Sequence, residues 1–268
     1  MSLLTYNFES EYLNSAMPVY IIMPNRAEGE HSKDFFSSKK KYPVLWLLHG
    51  TFGDGTDWIR RSNIELYANE MDLIVVMPCG LNTDFLNWGE FARGFDMEKY
   101  VIDELMPFVY NWLPASDKRE DNYIAGLSMG GMAAAQFATW YPEKFIAAGL
   151  FSGFPRNWHN DFVYDDKKRT ENIIAVNGGR EGLLKTHYNV WDELAKIDKN
   201  SLPAFYVSVG GDDYLKQAAY EPFKEYAEKL GLNCTYEVID GYHHEWRFWD
   251  LTLRHALDKW GFKVVKPD

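Results

Sequence analysis

A chain of 268 residues with 46% hydrophobic and 25% charged residues can bury a substantial core and does not have the composition of a disordered polymer. Its net charge of -11 argues against nucleic acid and against anionic membrane surfaces as partners. The two cysteines, Cys79 and Cys234, have no CxxC spacing, which argues against a disulfide framework and fits a reducing compartment.

The opening residues, Met1-Ser-Leu-Leu-Thr-Tyr-Asn-Phe-Glu9, lack a basic n-region and a sustained apolar stretch, so no signal peptide is expected. No window approaches the roughly 18 apolar residues of a membrane helix, and a cytoplasmic location is expected. Residues 3–11 and 17–24 read as an antiparallel opening pair with alternating faces. Residues 25–42 are polar, end in Lys39-Lys-Lys41, and are expected to form a solvated loop. Residues 44–48 read as a buried strand ending at His49-Gly50. Ser62-Asn-Ile-Glu65 has the form of a capping box and predicts a helix from there to residue 70. Residues 73–77 read as a strand, and Asp96 is expected to cap a helix ending near Trp112.

The most telling stretch follows: Tyr123-Ile-Ala-Gly-Leu-Ser-Met-Gly-Gly131. Residues 122–127 suit a buried strand and residues 129–140 a helix that Pro142 stops. Gly-x-Ser-x-Gly at such a junction forces a sharp turn and lifts the Ser128 hydroxyl above the sheet edge. Gly126 and Gly130 are expected because a side chain at either would collide across the bend. Further strands are read at 147–151, 204–209 and 235–239. A helix at 216–230 is closed by Gly231 and a final helix at 246–260 by Gly261. The alternation predicts a single α/β domain over residues 1–268, with a mostly parallel eight-stranded sheet and helices on both faces. Residues 153–189 break the rhythm and read as a small insertion over the carboxyl ends of the strands.

A serine hydroxyl needs a base, and the base needs an orienting acid. In an α/β-hydrolase arrangement the chain order is serine, acid, histidine. The acid falls in Gly210-Gly-Asp-Asp-Tyr-Leu215, where Asp213 is assigned the orienting role and Asp212 an Asx turn or helix cap. The base falls in Asp240-Gly-Tyr-His-His-Glu-Trp246, where His244 precedes the last helix and His243 is read as a loop residue. Attack on an ester carbonyl puts charge on oxygen, and each preorganised N–H donor is worth roughly 3 kcal/mol there. One donor is the Met129 N–H, at a helix N-terminus. The second belongs to His49-Gly-Thr-Phe-Gly-Asp-Gly55, assigned to Thr51 with Phe52 as the fallback. No metal is expected: His243-His-Glu245 lacks ligand spacing, no cysteine cluster exists, and Asp165-Asp166 is isolated. No nucleotide fingerprint is present and no cofactor is expected.

With these residues in place the chain resembles the esterase D-like family of α/β-hydrolases. That family includes tributyrin esterases, S-formylglutathione hydrolases, feruloyl and acetylxylan esterases and mycolyltransferases. The resemblance spans nearly the whole chain. It rests on Leu47-Leu-His-Gly50 with Trp58, Asp103-Glu-Leu105, Ala125-Gly-Leu-Ser-Met-Gly-Gly131, Gly210-Gly-Asp-Asp-Tyr-Leu215 and His244-Glu-Trp246 with Phe248-Trp-Asp250. Length and Trp58-Ile-Arg-Arg-Ser-Asn63 make the tributyrin esterase type the nearest fit, while residues 153–189 match poorly. The resemblance implies a nucleophile at Ser128, an acid at Asp213 and a base at His244. The implied activity is hydrolysis of short-chain acyl esters, or of feruloyl or acetyl esters of plant carbohydrates. Phe52, Trp88 and Trp158 are expected to bind substrate, with Phe85, Trp88 and Trp158 as stacking surfaces or, equally, core aromatics. An acyltransferase on the same acyl-enzyme and a non-catalytic binding protein of this fold are the other classes. The expected partner is a small ester, and the sequence leaves a homo-oligomer open.

Overall fold

The computed structural model describes residues 2–88, 95–160 and 167–266. Eight strands form one sheet: β1 (Ser2–Ser10), β2 (Ser15–Met23), β3 (Val44–Leu48), β4 (Ile74–Pro78), β5 (Asn122–Leu127), β6 (Ala147–Phe151), β7 (Ala204–Gly210) and β8 (Cys234–Ile239). Their order is β1-β2-β4-β3-β5-β6-β7-β8. β1 and β2 pair antiparallel, as do β2 and β4. Every pairing from β4 through β3, β5, β6 and β7 to β8 is parallel.

The inner strands are buried on both faces, which is why they read as continuous apolar runs rather than alternating ones. Val44, Trp46 and Leu48 of β3 join one core with Ile74 and Val76 of β4. Leu45 and Leu47 join the opposite core with Val75 and Met77. The two-residue period of a strand makes that division.

The helices are α1 (Ser32–Ser37), α2 (Asp57–Arg61), α3 (Ile64–Glu70), α4 (Met97–Lys99), α5 (Met106–Trp112), α6 (Met129–Trp140), α7 (Lys167–Val176), α8 (Gly179–Leu183), α9 (Val190–Lys196), α10 (Glu221–Leu230) and α11 (Trp246–Lys259). Asp96 caps α4 through the Lys99 N–H, and a π-helical stretch, Tyr100–Leu105, carries the same run into α5. Gly231 and Gly261 follow α10 and α11 at positive φ, as their C-terminal positions require.

Two local readings are corrected, and the third segment gains detail. The stretch 25–42 is not wholly loop, because α1 lies within it and is capped by His31 Nδ1 accepting from the Lys33 N–H. Ser62 does not open a capping box. Its hydroxyl donates to the Trp58 carbonyl and closes α2, while Asn63 leads into α3 with its N–H and amide on Asp250. The hydroxyl satisfies a C-terminal carbonyl of α2 and also accepts from the Ile64 N–H at 3.3 Å, one position outside the N-cap that Asn63 occupies. The insertion 153–189 carries α7 and α8 over a small core of its own: Leu86, Trp88, Trp158, Ile173, Leu183 and Tyr188. Asp165 and Asp166 lie outside the described residues.

Candidate active site

Parallel pairing puts the carboxyl ends of β3, β5, β6, β7 and β8 on one edge, and the loops leaving those strands converge there. Ser128 sits between β5 and α6 with φ 51 and ψ -117, a backbone state that a non-glycine residue adopts only when its surroundings impose it. The surroundings are visible. The Ser128 N–H donates to the Phe151 carbonyl at 2.8 Å, and its own carbonyl accepts from Met132 at 3.0 Å. A side chain on Gly126 would meet the Gly130 carbonyl at 2.5 Å, so the bend closes only with glycine there. Leu127 and Met129 are buried, whereas Ser128 is partly open to a cavity of about 690 Å³.

The acid loop leaves β7 and the histidine loop leaves β8. The second crosses over the end of β7: a Cβ on Gly210 would lie 2.3 Å from the Tyr242 carbonyl, which also accepts from the Asp212 N–H at 3.0 Å. That close approach brings His244 above the sheet, where it lines the same cavity as Ser128. His244 Nδ1 is 2.9 Å from Asp213 Oδ2. The Asp213 side chain is fully shielded from solvent, whereas that of His244 is 19% exposed. The imidazole is fixed edge-on against Trp249, ring centroids 4.9 Å apart.

The geometry brings one member of each doublet into contact, His244 with Asp213. His243 is exposed and its Nδ1 faces the Asp212 carbonyl at 3.2 Å, away from the acid. Asp212 is exposed as well. The Asx turn expected of Asp212 is made by Asp213 instead, whose Oδ1 accepts from the Leu215 N–H at 2.9 Å while Oδ2 faces His244. One carboxylate does both tasks because its two oxygens point to opposite sides. Burial pushes the Asp213 pKa up, but contact with His244 and the Leu215 N–H outweighs it and holds the carboxyl below its ordinary value.

The loop after β3 supplies the other wall. His49 is buried, with Nδ1 2.8 Å from the Gly50 carbonyl and Nε2 accepting from the Gly80 N–H at 2.8 Å. The second contact fixes the tautomer: Nε2 must be bare, so Nδ1 carries the proton and holds the Gly50 carbonyl. Phe52 has φ 61, and its N–H donates to Asn82 Oδ1 at 2.7 Å. Phe52 is therefore spent as an oxyanion donor, whereas no described residue accepts from the Thr51 N–H. Thr51 and Met129 both line the cavity, and the Met129 N–H belongs to the unpaired first turn of α6. The Phe52 ring stands 87% exposed at the cavity's edge.

The remaining expected substrate contacts lie elsewhere. Trp88 and Trp158 pack inside the insertion's own core and do not line the cavity. Phe85 is fully buried against His49 and Phe137. Trp88 and Trp158 cover apolar side chains of α7 and α8, Ile173 and Leu183, that would otherwise face water, whereas Phe85 belongs to the main core. Trp58 has a bracing role, its Nε1 donating to the Leu48 carbonyl at 3.0 Å. Cys79 and Cys234 are both free thiols whose pKa values burial raises, that of Cys234 to about 11, so neither is an activated nucleophile. Among the described residues no group of three or more His, Cys, Asp and Glu side chains is arranged to hold a metal ion, and no helix is long and apolar enough to cross a membrane.

Sequence reasoning missed four residues that shape the site: Asn82, Asp84, Arg156 and Arg169. The two arginines line the cavity from the insertion. Arg169 meets Thr51 across 118 positions of chain, and nothing local in either stretch signals the pairing.

Comparison with known proteins gives the family and the fold. The family model "Esterase: Putative esterase" matches residues 10–260. An acetyl esterase of Caldicellulosiruptor saccharolyticus is 27% identical over 277 residues, covering 98% of this chain and 99% of that protein. Among solved structures, the fluorophosphonate-binding serine hydrolase F of Staphylococcus aureus is similar with a TM-score of 0.82 and 26% identity, covering 97% of this chain and 98% of that one. A ferulic acid esterase is similar with a TM-score of 0.76 and 25% identity, covering 97% and 96%.

Proposed function

This chain belongs to the esterase family, and on that premise we propose that it hydrolyses small carboxylic esters through an acyl-enzyme on Ser128. The observation that carries the reading is the His244–Asp213 contact of 2.9 Å in a cavity that a strained Ser128 also lines. With Nδ1 committed to Asp213, Nε2 is the nitrogen left to serve the Ser128 hydroxyl. Ser128 Oγ attacks the acyl carbon as His244 takes its proton. The tetrahedral oxyanion draws on the Thr51 and Met129 N–H groups. His244 returns the proton to the leaving alcohol, then activates the water that releases the acid. Asp213 keeps the imidazole in one tautomer and offsets the imidazolium charge. No step calls for a cofactor.

Short acyl groups are the first substrate class, supported by the full-length likeness to an acetyl esterase. The exposed Phe52 ring favours an aromatic acyl group as the second. Turnover of p-nitrophenyl esters from acetate upward, with methyl cinnamates alongside, separates the two. Ser128→Ala is expected to abolish all of it. Undiminished hydrolysis by that variant, or none by the parent protein, would end the proposal.

A further inference from the structure

Arg169 is carried on α7, within the insertion, yet its guanidinium reaches into the catalytic cavity. Nη1 lies 3.2 Å from Thr51 Oγ1 and 3.6 Å from Met129 Sδ. These are the two residues whose backbone N–H groups are assigned to the oxyanion, so one side chain touches both halves of the hole. Behind it, Arg169 Nε stands 3.5 Å from Asp84 Oδ1, and Asp84 Oδ2 stands 3.2 Å from Arg156 Nη1. The Asp84 side chain is 1% exposed and that of Arg169 10%, so these charges meet where water does little to screen them.

The loop that bears Asp84 is itself held in an unusual state. Asp84 and Phe85 both have positive φ, 53 and 56. Two consecutive non-glycine residues in that region persist only when their surroundings over-determine them. The same loop gives Asn82 Oδ1 to the Phe52 N–H and the Gly80 N–H to His49 Nε2. The segment after β4 therefore grips the segment after β3 at His49 and Phe52 directly, and at Thr51 through Arg169.

We infer that Arg169, anchored by Asp84, is a positioning residue for the oxyanion hole. By holding Thr51 Oγ1 and Met129 Sδ it sets the separation of the two N–H donors, which makes the insertion a working part of the site. The inference rests on the esterase reading above. A planar guanidinium fork suits the task because it can face a carboxylate on one side and two acceptors on the other, which an ammonium cannot do in a fixed geometry. Asp84 lies against the guanidinium, so spacing carries more of the effect than charge.

The test is a set of variants, Arg169→Gln, Arg169→Lys, Thr51→Val and the Gln/Val double variant, assayed by steady-state kinetics on p-nitrophenyl acetate. The rate of Ser128 phosphonylation by a fluorophosphonate is read beside it, because that reaction uses the same hole. Arg169→Gln is expected to lower kcat and the phosphonylation rate by about 10- to 100-fold with little change in KM. Arg169→Lys should recover little of this. Thr51→Val keeps the N–H and loses only the Oγ1 contact, and the double variant should fall no further than Arg169→Gln alone. Full rescue by lysine would overturn the inference in favour of charge. A raised KM with intact kcat would make Arg169 a substrate-binding group instead, and multiplicative losses in the double variant would break the link to Thr51. If the Arg169 variants do not fold, wild-type rates in folded Thr51→Val overturn the inference by themselves. Absence of Ser128-dependent turnover in the parent protein is a different failure, that of the esterase reading, and phosphonylation still reads the bracing.

Discussion

Gly130→Ala tests how closely α6 must approach β3. A Cβ at Gly130 would lie 2.4 Å from the Leu48 carbonyl oxygen and 2.6 Å from that of His49. Real Cβ contacts essentially never fall under 3.0 Å, so the helix must back away by at least about 0.6 Å, the gap between 2.4 and 3.0. β3 offers little room to yield, because it is hydrogen-bonded between β4 and β5. The displacement therefore falls on Ser128 and Met129, and widens the hole shared with Thr51. Overpacking of this kind costs about 1–3 kcal/mol. For a chain of this size that is a fall in Tm of about 2–10 °C. Misplacing the nucleophile and one donor by over half an ångström should lower kcat by about 10-fold or more. Helix propensity opposes this result: alanine is the better helix former by about 1 kcal/mol, so on propensity alone Tm would rise. Thermal unfolding followed by circular dichroism, with kcat on p-nitrophenyl acetate, decides the sign. A Tm at or above that of the parent protein with unchanged kcat would refute the close-packing argument.

Two further outcomes follow from the site. Asp213→Asn should lower kcat by about 10⁴-fold through the wrong imidazole tautomer, while His243→Ala should stay within roughly twofold of the parent, as exposed substitutions do. Equal losses in both variants would undo the choice between the histidines. Burial holds the His49 pKa below its ordinary value, against the pull of the Gly50 carbonyl and of Asp57 and Asp54. Folded His49 stays neutral while the unfolded chain takes up a proton near pH 6.5. That contribution to stability is complete above about pH 6.5 and is lost as pH falls below it, at no more than about 1.4 kcal/mol per pH unit. Asp213, with its carboxyl depressed, adds a separate loss only below about pH 4, in the carboxylate range. Urea unfolding between pH 8 and pH 5 should show the first slope in the parent protein and a smaller one in His49→Gln. The same slope in both would remove His49 from the account.

Much of the fold was legible because its signals are local. Residues 44–48, 122–127 and 147–151 are strands with the bounds that their apolar runs suggested, and 129–140 is the helix read after the serine. The glycines of the bend were legible too, since Gly126 and Gly130 stand where a Cβ would strike backbone. Ser62 was misread because a serine before a helix can also end the preceding one, and four residues of sequence do not say which. For Trp88 and Trp158 the sequence left a substrate-facing and a core role equally open, because an aromatic ring in a loop or an insertion has the same sequence signature whether it faces a cavity or neighbouring helices.

The amino-acid order by itself determined the sheet, the strained serine and the short loops from which an acid and a base had to come. Those features depend on hydrophobic period and on steric contacts between near neighbours, which are written in a few consecutive residues. Only the tertiary structure shows that Asp213 and not Asp212 meets His244, that His243 turns to the Asp212 carbonyl, and that the Phe52 N–H is taken by Asn82. Adjacent residues in a loop have nearly the same local surroundings and differ in which way they point. That direction is set by contacts such as Gly210 with Tyr242, Phe52 with Asn82 and Thr51 with Arg169, whose partners lie roughly 30 to over 100 positions away and meet only when parallel strands bring their ends to one edge.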